Sequence, residues 1–205
     1  ASAPRDAFGS RRPVDVYDAK ADAEAILSTI GAPARAQVDR KLDGWWHPGR
    51  AGNIALGPNR LATFGEVHPR VLKAMGVKGP AVAFTVHVVN VPLPKVKTPT
   101  RPALNLSDLQ AVERDFAFVV DAGVEALTIV NAAQGADKAL IESVRVFDQF
   151  AGEKAEAQMG AGRKSVAITA RLQPRDRTLT DKEIEAVAAK IVEKVARATG
   201  GTLRS

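Results

Sequence analysis

This sequence predicts an α+β fold in two domains, on three observations. A stretch holding Pro92, Pro94, Pro99 and Pro102 divides the 205 residues near their middle. After it, apolar spacing alternates between a period of two and a period of 3.6 in the order strand, helix, strand, strand, helix, strand, ending at Thr202-Leu203-Arg204. Before it, one helical run is followed by several short strand-like runs.

Taken in order, Asp18 is a side chain able to cap a helix over Ala19 to Ile30, with Ala23, Ile26, Leu27 and Ile30 on one face and Gly31 as its stop. Strand-like runs follow near Ala34 to Val38, Asn53 to Leu56 and Arg60 to Phe64. Pro69 opens a short helix, where its missing N–H costs nothing, and that helix ends before Gly76. From Ala81 to Val91, alternation of Val82, Phe84, Val86 and Val88 against Thr85, His87 and Val89 predicts a half-buried strand. Prolines interleaved with Lys95, Lys97 and Arg101 suit an extended connector, so residues 1–92 form one domain, 93–110 a linker and 111–205 the second domain.

The order in the second domain is the split βαβ, ferredoxin-like pattern, in which two helices cover one sheet face and the other stays open. Strand one then buries Phe116, Phe118 and Val120 and turns Asp115, Ala117 and Val119 outward. Strand three, Lys164 to Gln173, buries Val166, Ile168, Ala170 and Leu172 and presents Ser165, Ala167, Thr169 and Arg171. Helix one spans about Val124 to Gln134 with Gly135 as its stop, although Thr128, Ile129 and Val130 are poor helix formers. Helix two is better specified, by a Thr180/Glu183 capping box, a stripe of Ile184, Val187, Ala188, Ile191 and Val195, and a stop at Gly200-Gly201. In strand two, straight alternation puts Phe150 in phase with Val144 and Val146; a bulge near Phe147 and Asp148 would turn it to the open face. The glycine-containing segment from Ala151 to Gly162 reads as a mobile loop or a plain hairpin connection.

Composition narrows the function classes. With 45% hydrophobic and 25% charged residues and no long apolar run, the chain reads as an ordinary globular protein without a membrane span. The absence of cysteine removes disulfides and thiolate metal sites and suits a reducing cytoplasm. Ala1 to Arg12 has no signal-peptide pattern, and the start reads as a cut inside a longer protein. The net charge of +6 lies in the first half: residues 1–104 hold 15 Lys and Arg against 8 Asp and Glu, the remainder 14 against 15. Arg163, Lys164, Arg171, Arg175 and Arg177 still gather around one strand and its following turn. Such a cluster attracts phosphates, yet a solvated strand edge uses the same residues.

Several local words are more specific than the pattern. Arg114-Asp115-Phe116-Ala117-Phe118, Val146-Phe147-Asp148-Gln149-Phe150, Arg163-Lys164-Ser165-Val166-Ala167 and Arg177-Thr178-Leu179-Thr180-Asp181 resemble the ferredoxin-fold anticodon-binding domain of bacterial phenylalanyl-tRNA synthetase beta subunits. Arg12-Pro13-Val14-Asp15-Val16-Tyr17-Asp18, His47-Pro48-Gly49-Arg50-Ala51 and Phe64-Gly65-Glu66-Val67-His68-Pro69 resemble the end of the catalytic-like core of that subunit, a class II synthetase-like antiparallel sheet that does no chemistry itself. The resemblance implies anticodon recognition on the open sheet face. Ala117 would let a base approach closely, Phe150 would stack and Ser165 would supply a hydroxyl, with Arg171, Lys164 and Arg163 as basic neighbours. Many relatives have Tyr where this chain has Phe150, so a phenolic contact would be lost while stacking remains. The implied partners are phenylalanine tRNA and an alpha subunit in an assembly of two alpha and two beta chains. ATP and Mg2+ would serve the assembled cytoplasmic ligase, with no cofactor in this chain.

No catalytic constellation is visible. His47, His68 and His87 stand apart without carboxylates at ligand spacing, so no metal site is predicted, and the Gly49-Arg50-Ala51-Gly52-Asn53 stretch lacks the Lys-Ser/Thr ending of a phosphate loop. Two other readings share the strand order: a small-molecule-sensing ferredoxin-like module using the Asp121-Ala122-Gly123 turn, and an RNA-binding sheet with outward aromatics, against which Ser165, Ala167 and Thr169 count.

Overall fold

The first helix begins three residues earlier than its apolar run suggests, because Asp15 and not Asp18 caps it. The Asp15 carboxylate accepts from the Tyr17 and Asp18 backbone N–H groups, and Asp18 at the third helical position accepts from the Asp15 N–H, a reciprocal capping box. In the computed structural model, which describes residues 12–33, 36–93 and 106–204, the chain divides into two compact units, Ala1–Arg101 and Pro102–Ser205. The connector expected at 93–110 falls largely outside the described residues.

In the first unit, helix α1 (Val16–Thr29) lies against an antiparallel sheet of β1 (Gln37–Asp39), β2 (Trp46–Leu56), β3 (Asn59–Val67) and β4 (Val82–Val86), in that spatial order. The buried stripe of α1 is Ala19, Ala23 and Leu27, set against Ile54, Leu61, Ala62 and Phe64. Small residues at 19 and 23 let the helix approach the sheet closely. Ile26 and Ile30, expected on this face, sit on its flank and are about two-fifths exposed (39% and 38%). Gly31 (φ 79°) follows the helix as anticipated.

The short helix α2 (Pro69–Ala74) forms where expected, with His68 as its cap: the ring Nδ1 accepts from the Arg70 N–H at 3.1 Å. The strand predicted to reach Val91 stops at Val86. The ladder to β3 ends at the Ala62↔Val86 pair, and after the His87 N–H reaches the Leu61 carbonyl the chain turns into a 3₁₀ turn, Val88–Asn90. Val88 and Val89 consequently face water. Gly65 (φ 152°) lies so close to the neighbouring strand that a Cβ would stand 2.2 Å from that of Ala51, which explains its lack of a side chain.

The second unit has the ferredoxin fold. Its elements are β5 (Val112–Asp121), α3 (Ala126–Gln134), β6 (Ile141–Phe150), α4 (Glu153–Met159), β7 (Arg163–Leu172), α5 (Asp181–Thr199) and β8 (Thr202–Leu203). The sheet runs β6-β7-β5-β8 with every pairing antiparallel. Phe116, Phe118, Val120, Val166, Ile168, Ala170 and Leu172 meet Ile129 and Ala133 of α3 and Ile184, Val187, Ile191 and Val195 of α5 in one apolar core. Full burial of each large side chain contributes roughly 1.5–3 kcal/mol. The Thr180/Glu183 capping box starts α5, and Gly200 in the left-handed conformation (φ 67°) ends it.

One segment departs from the sequence reading. Residues between β6 and β7, expected to be a mobile or plain hairpin loop, contain α4, which packs against β7 with Ala155 fully buried. Gly152 (φ 91°) and Gly160 (φ 99°) bracket it in conformations that other residues avoid. A helix of seven residues leaves little apolar periodicity to read.

Candidate nucleic-acid interface

The face of the second sheet turned away from α3 and α5 is built row by row from strand register, since directly opposed residues in an antiparallel pair share a face. One row is Phe150, Ser165, Val119 and Thr202; the next is Asp148, Ala167 and Ala117; then Arg145, Thr169 and Asp115; then Ser143, Arg171 and Glu113. Successive rows lie about 7 Å apart along the strands and neighbouring strands about 4.8 Å apart. The middle of the face is a floor of two alanines bordered by hydroxyl, carboxylate and aromatic groups.

Phe150 reaches this face because β6 is bulged. Val146 opposes Ile168 on the packed side, and Asp148 then opposes Ala167, so Phe147 is the extra residue that reverses the phase. Phe147 is about half exposed (51%), as an unpaired bulge residue should be. Phe150, Ser165 and Ala117 therefore lie on one face, with Phe150 directly opposite Ser165 and Ala117 one row away. Phe150 and Ala117 are half-buried.

The open face is not uniformly open. Ser165 is buried (4% exposed) although it points away from α3 and α5. Ala155 of α4 lies outside the core those helices form, and α4 packs on β7, so the burial at this end of the face accompanies α4. The face is thus a partly walled shelf, narrower than a bare sheet surface. The Ser165 hydroxyl has no hydrogen-bond partner among the described residues, and neither has the Asp148 carboxylate.

The basic neighbours need correction in part. Lys164 is in phase with Val166 and Ile168, and it is buried (9% exposed) on the packed side, the consequence of plain alternation along β7. Arg163 and Arg171 do lie on the open side, but each holds a carboxylate of a neighbouring strand. Arg163 donates to Asp121 at 2.7 Å, and Arg171 donates to Glu142 at 2.7 Å and Glu113 at 3.4 Å. The Glu142 hydrogen bond raises the Arg171 pKa further above its ordinary value, so the guanidinium stays charged. The Thr169 hydroxyl donates to Asp115 at 2.7 Å, which fixes β5 to β7 across the floor, while Arg114 donates to the Glu113 carbonyl. Sequence reading missed Asp148, Thr202 and Arg145 on this face. Counting phase from the bulge would have found Asp148 and Arg145, and only the β8 pairing brings in Thr202.

The Asp121-Ala122-Gly123 turn is closed by its own chain, since the Ala122 N–H donates to the Gly162 carbonyl at 2.7 Å and Val124 to the Asp121 carbonyl. In the first unit the histidines serve loops: His47 Nδ1 accepts from the Gly49 N–H at 3.1 Å, and His68 caps α2. Arg50, in the irregular part of β2, pairs with Glu66 at 2.8 Å. Among the described residues no group of three or more His, Cys, Asp or Glu side chains could hold a metal ion. No helix among them is long and apolar enough to cross a membrane.

A ferredoxin fold with a small-residue floor on its uncovered face defines a class, and comparison with known proteins agrees: residues 107–204 match the family model of the ferredoxin-fold anticodon binding domain. Residues 1–88 match that of the phenylalanyl tRNA synthetase beta chain CLM domain. The chain is 81% identical over 204 residues to the phenylalanine–tRNA ligase beta subunit of Cereibacter sphaeroides, 67% identical over 202 residues to that of Ruegeria pomeroyi and 51% identical over 205 residues to that of Rhodospirillum rubrum. These alignments take in 98–100% of this chain but 25% of each relative, so the chain spans about a quarter of their length. It belongs to the phenylalanyl-tRNA synthetase beta-chain family, carrying that family's CLM domain and anticodon-binding domain in order.

Proposed function

We propose that the second unit recognises the anticodon of phenylalanine tRNA on its open sheet face, with Phe150 stacking on a base, Ser165 hydrogen-bonding and Ala117 allowing close approach. The first unit serves as scaffold, with the domain limits at 1–92 and 111–205. In this reading the chain acts inside a larger cytoplasmic beta subunit. Paired with an alpha subunit, in an assembly of two of each, that subunit supports ATP- and Mg2+-dependent attachment of phenylalanine to its tRNA, and the chemistry lies outside this chain.

The observation that carries the reading is the bulge at Phe147, with which Phe150 lies opposite Ser165 and one row from the alanine floor. Stacking on an aromatic contributes about 1–3 kcal/mol per base in single-strand recognition. Phe150→Ala in the assembled subunit is therefore expected to weaken tRNA binding by about that amount. An unchanged affinity would remove Phe150 from the interface.

A further inference from the structure

We infer that Arg145 and Arg204, one at each edge of the open face, take the phosphates of the RNA strand whose bases lie on the floor between them. The inference rests on the anticodon reading above and adds the residues that hold the backbone.

Among the described residues the open face carries four arginines, and they divide into two kinds. Arg163 and Arg171 already hold carboxylates at 2.7 Å, so a phosphate could engage them only by displacing Asp121 or Glu142. Arg145 and Arg204 are exposed, and neither makes an ion pair or side-chain hydrogen bond with any described residue. A guanidinium without a carboxylate keeps its full charge for an incoming anion, and it presents the planar donor fork that matches a phosphate.

Their positions follow from register. Arg145 opposes Thr169, which faces the floor side of β7. The β5–β8 ladder pairs Val119 with Thr202 and Phe118 with Leu203, and the Arg204 N–H continues it to the Ala117 carbonyl at 2.7 Å. Alternation then puts Arg204 on the same face as Ala117 and Thr202. Three strand spacings and one row separate the two arginines, about 16 Å. That span leaves Ala117 and Ala167 between them, with Phe150 and Ser165 in the next row.

The way β8 is attached adds an independent reason. Thr202, Leu203 and Arg204 are all exposed, so this strand buries little side chain. Its approach is nevertheless tightly constrained: a Cβ on Gly201 would lie 2.5 Å from Val120 Cγ1 and 2.9 Å from the Val119 carbonyl oxygen, and Gly200 takes the left-handed conformation. A close, fixed approach with little apolar reward is what positioning a side chain requires.

The test uses the beta subunit carrying this chain, assembled with its alpha subunit, and phenylalanine tRNA as the probe, with binding measured across a salt series. Arg145→Gln and Arg204→Gln are each expected to weaken binding several-fold and to flatten the slope of log affinity against log salt by about 0.7, the value for one single-strand phosphate contact. Arg171→Gln should leave that slope unchanged. A weaker affinity with an unaltered slope at both arginines would mean a structural role and overturn the inference. If Phe150→Ala weakens binding while neither arginine variant does, the inference fails and the anticodon reading stands. If none of the three changes binding, the anticodon reading fails and takes the inference with it.

Discussion

The two faces of the second sheet are made from the same three long strands by alternate residues, yet they follow different rules. The packed face holds Phe118, Val120, Val166 and Ile168, all with no exposed surface, each replaceable only at the cost of a cavity. The open face holds Ala117, Ala167, Ser165 and Thr169, with long side chains confined to its borders. One face is filled to hold the fold together, and the other is kept low so that something flat can rest on it. Stability and recognition are therefore separable here to the resolution of single residues.

That separation can be tested from the packed side first. Phe118→Ala is expected to destabilise the chain by about 3–5 kcal/mol in urea unfolding, the usual range for emptying a buried aromatic site. A loss under about 1 kcal/mol would mean the core collapses to fill the hole. Gly201→Ala should cost roughly 1–3 kcal/mol, because the added methyl meets Val120 and the Val119 carbonyl. Hydrogen exchange should then show the β5–β8 amides opening first. Thr180→Ala, which removes one half of the α5 capping box, should lower stability by about 1 kcal/mol without affecting tRNA binding.

The smallest effect concerns pH. Hydrogen bonds from Arg177, with backbone and hydroxyl donors of Thr180, hold the Glu183 carboxyl at about 2, below its ordinary 4.5. A depressed carboxyl contributes stability that is fully present above its unfolded-state pKa and is lost as pH falls toward its folded value. The chain should therefore lose this contribution between about pH 4.5 and 2, and Glu183→Gln should flatten that part of the stability profile. An identical acid limb in the variant would show that the Arg177 contact does not persist in solution. Asp18, held at about 2 by Arg12 and the Asp15 N–H, is expected to behave in the same way in the first unit.

Much of this was legible in the sequence because it is local. The α5 capping box, the Gly200 stop and the inward residues of β5 and β7 need only neighbours along the chain. The bulge in β6 was legible as a conflict between the phase of Val144 and Val146 and the face required of Phe150. Lys164 was legible too, since its phase with Val166 already placed it on the packed side. The ion pairs of Arg163 and Arg171 were not, because Asp121, Glu142 and Glu113 come from other strands and meet them only through register. The wall formed with α4 was hidden for a different reason: a short helix between glycines has no periodic stripe, so its burial of Ala155 leaves no mark in the sequence.

The single surplus residue at Phe147 also leaves β6 an alternative pairing with β7, one without a bulge. Swapping one side chain of β6 for another alters one contact, whereas pairing the five residues from Val146 to Phe150 with β7 without a bulge would turn everything from Asp148 to Phe150 onto the opposite side. Gln149 would then point where Phe150 now does. Loss of the surplus residue itself would leave Phe150 opposite Ser165, so the pairing of Phe150 with Ser165, and not the count of residues from Val146, is what descent has to keep.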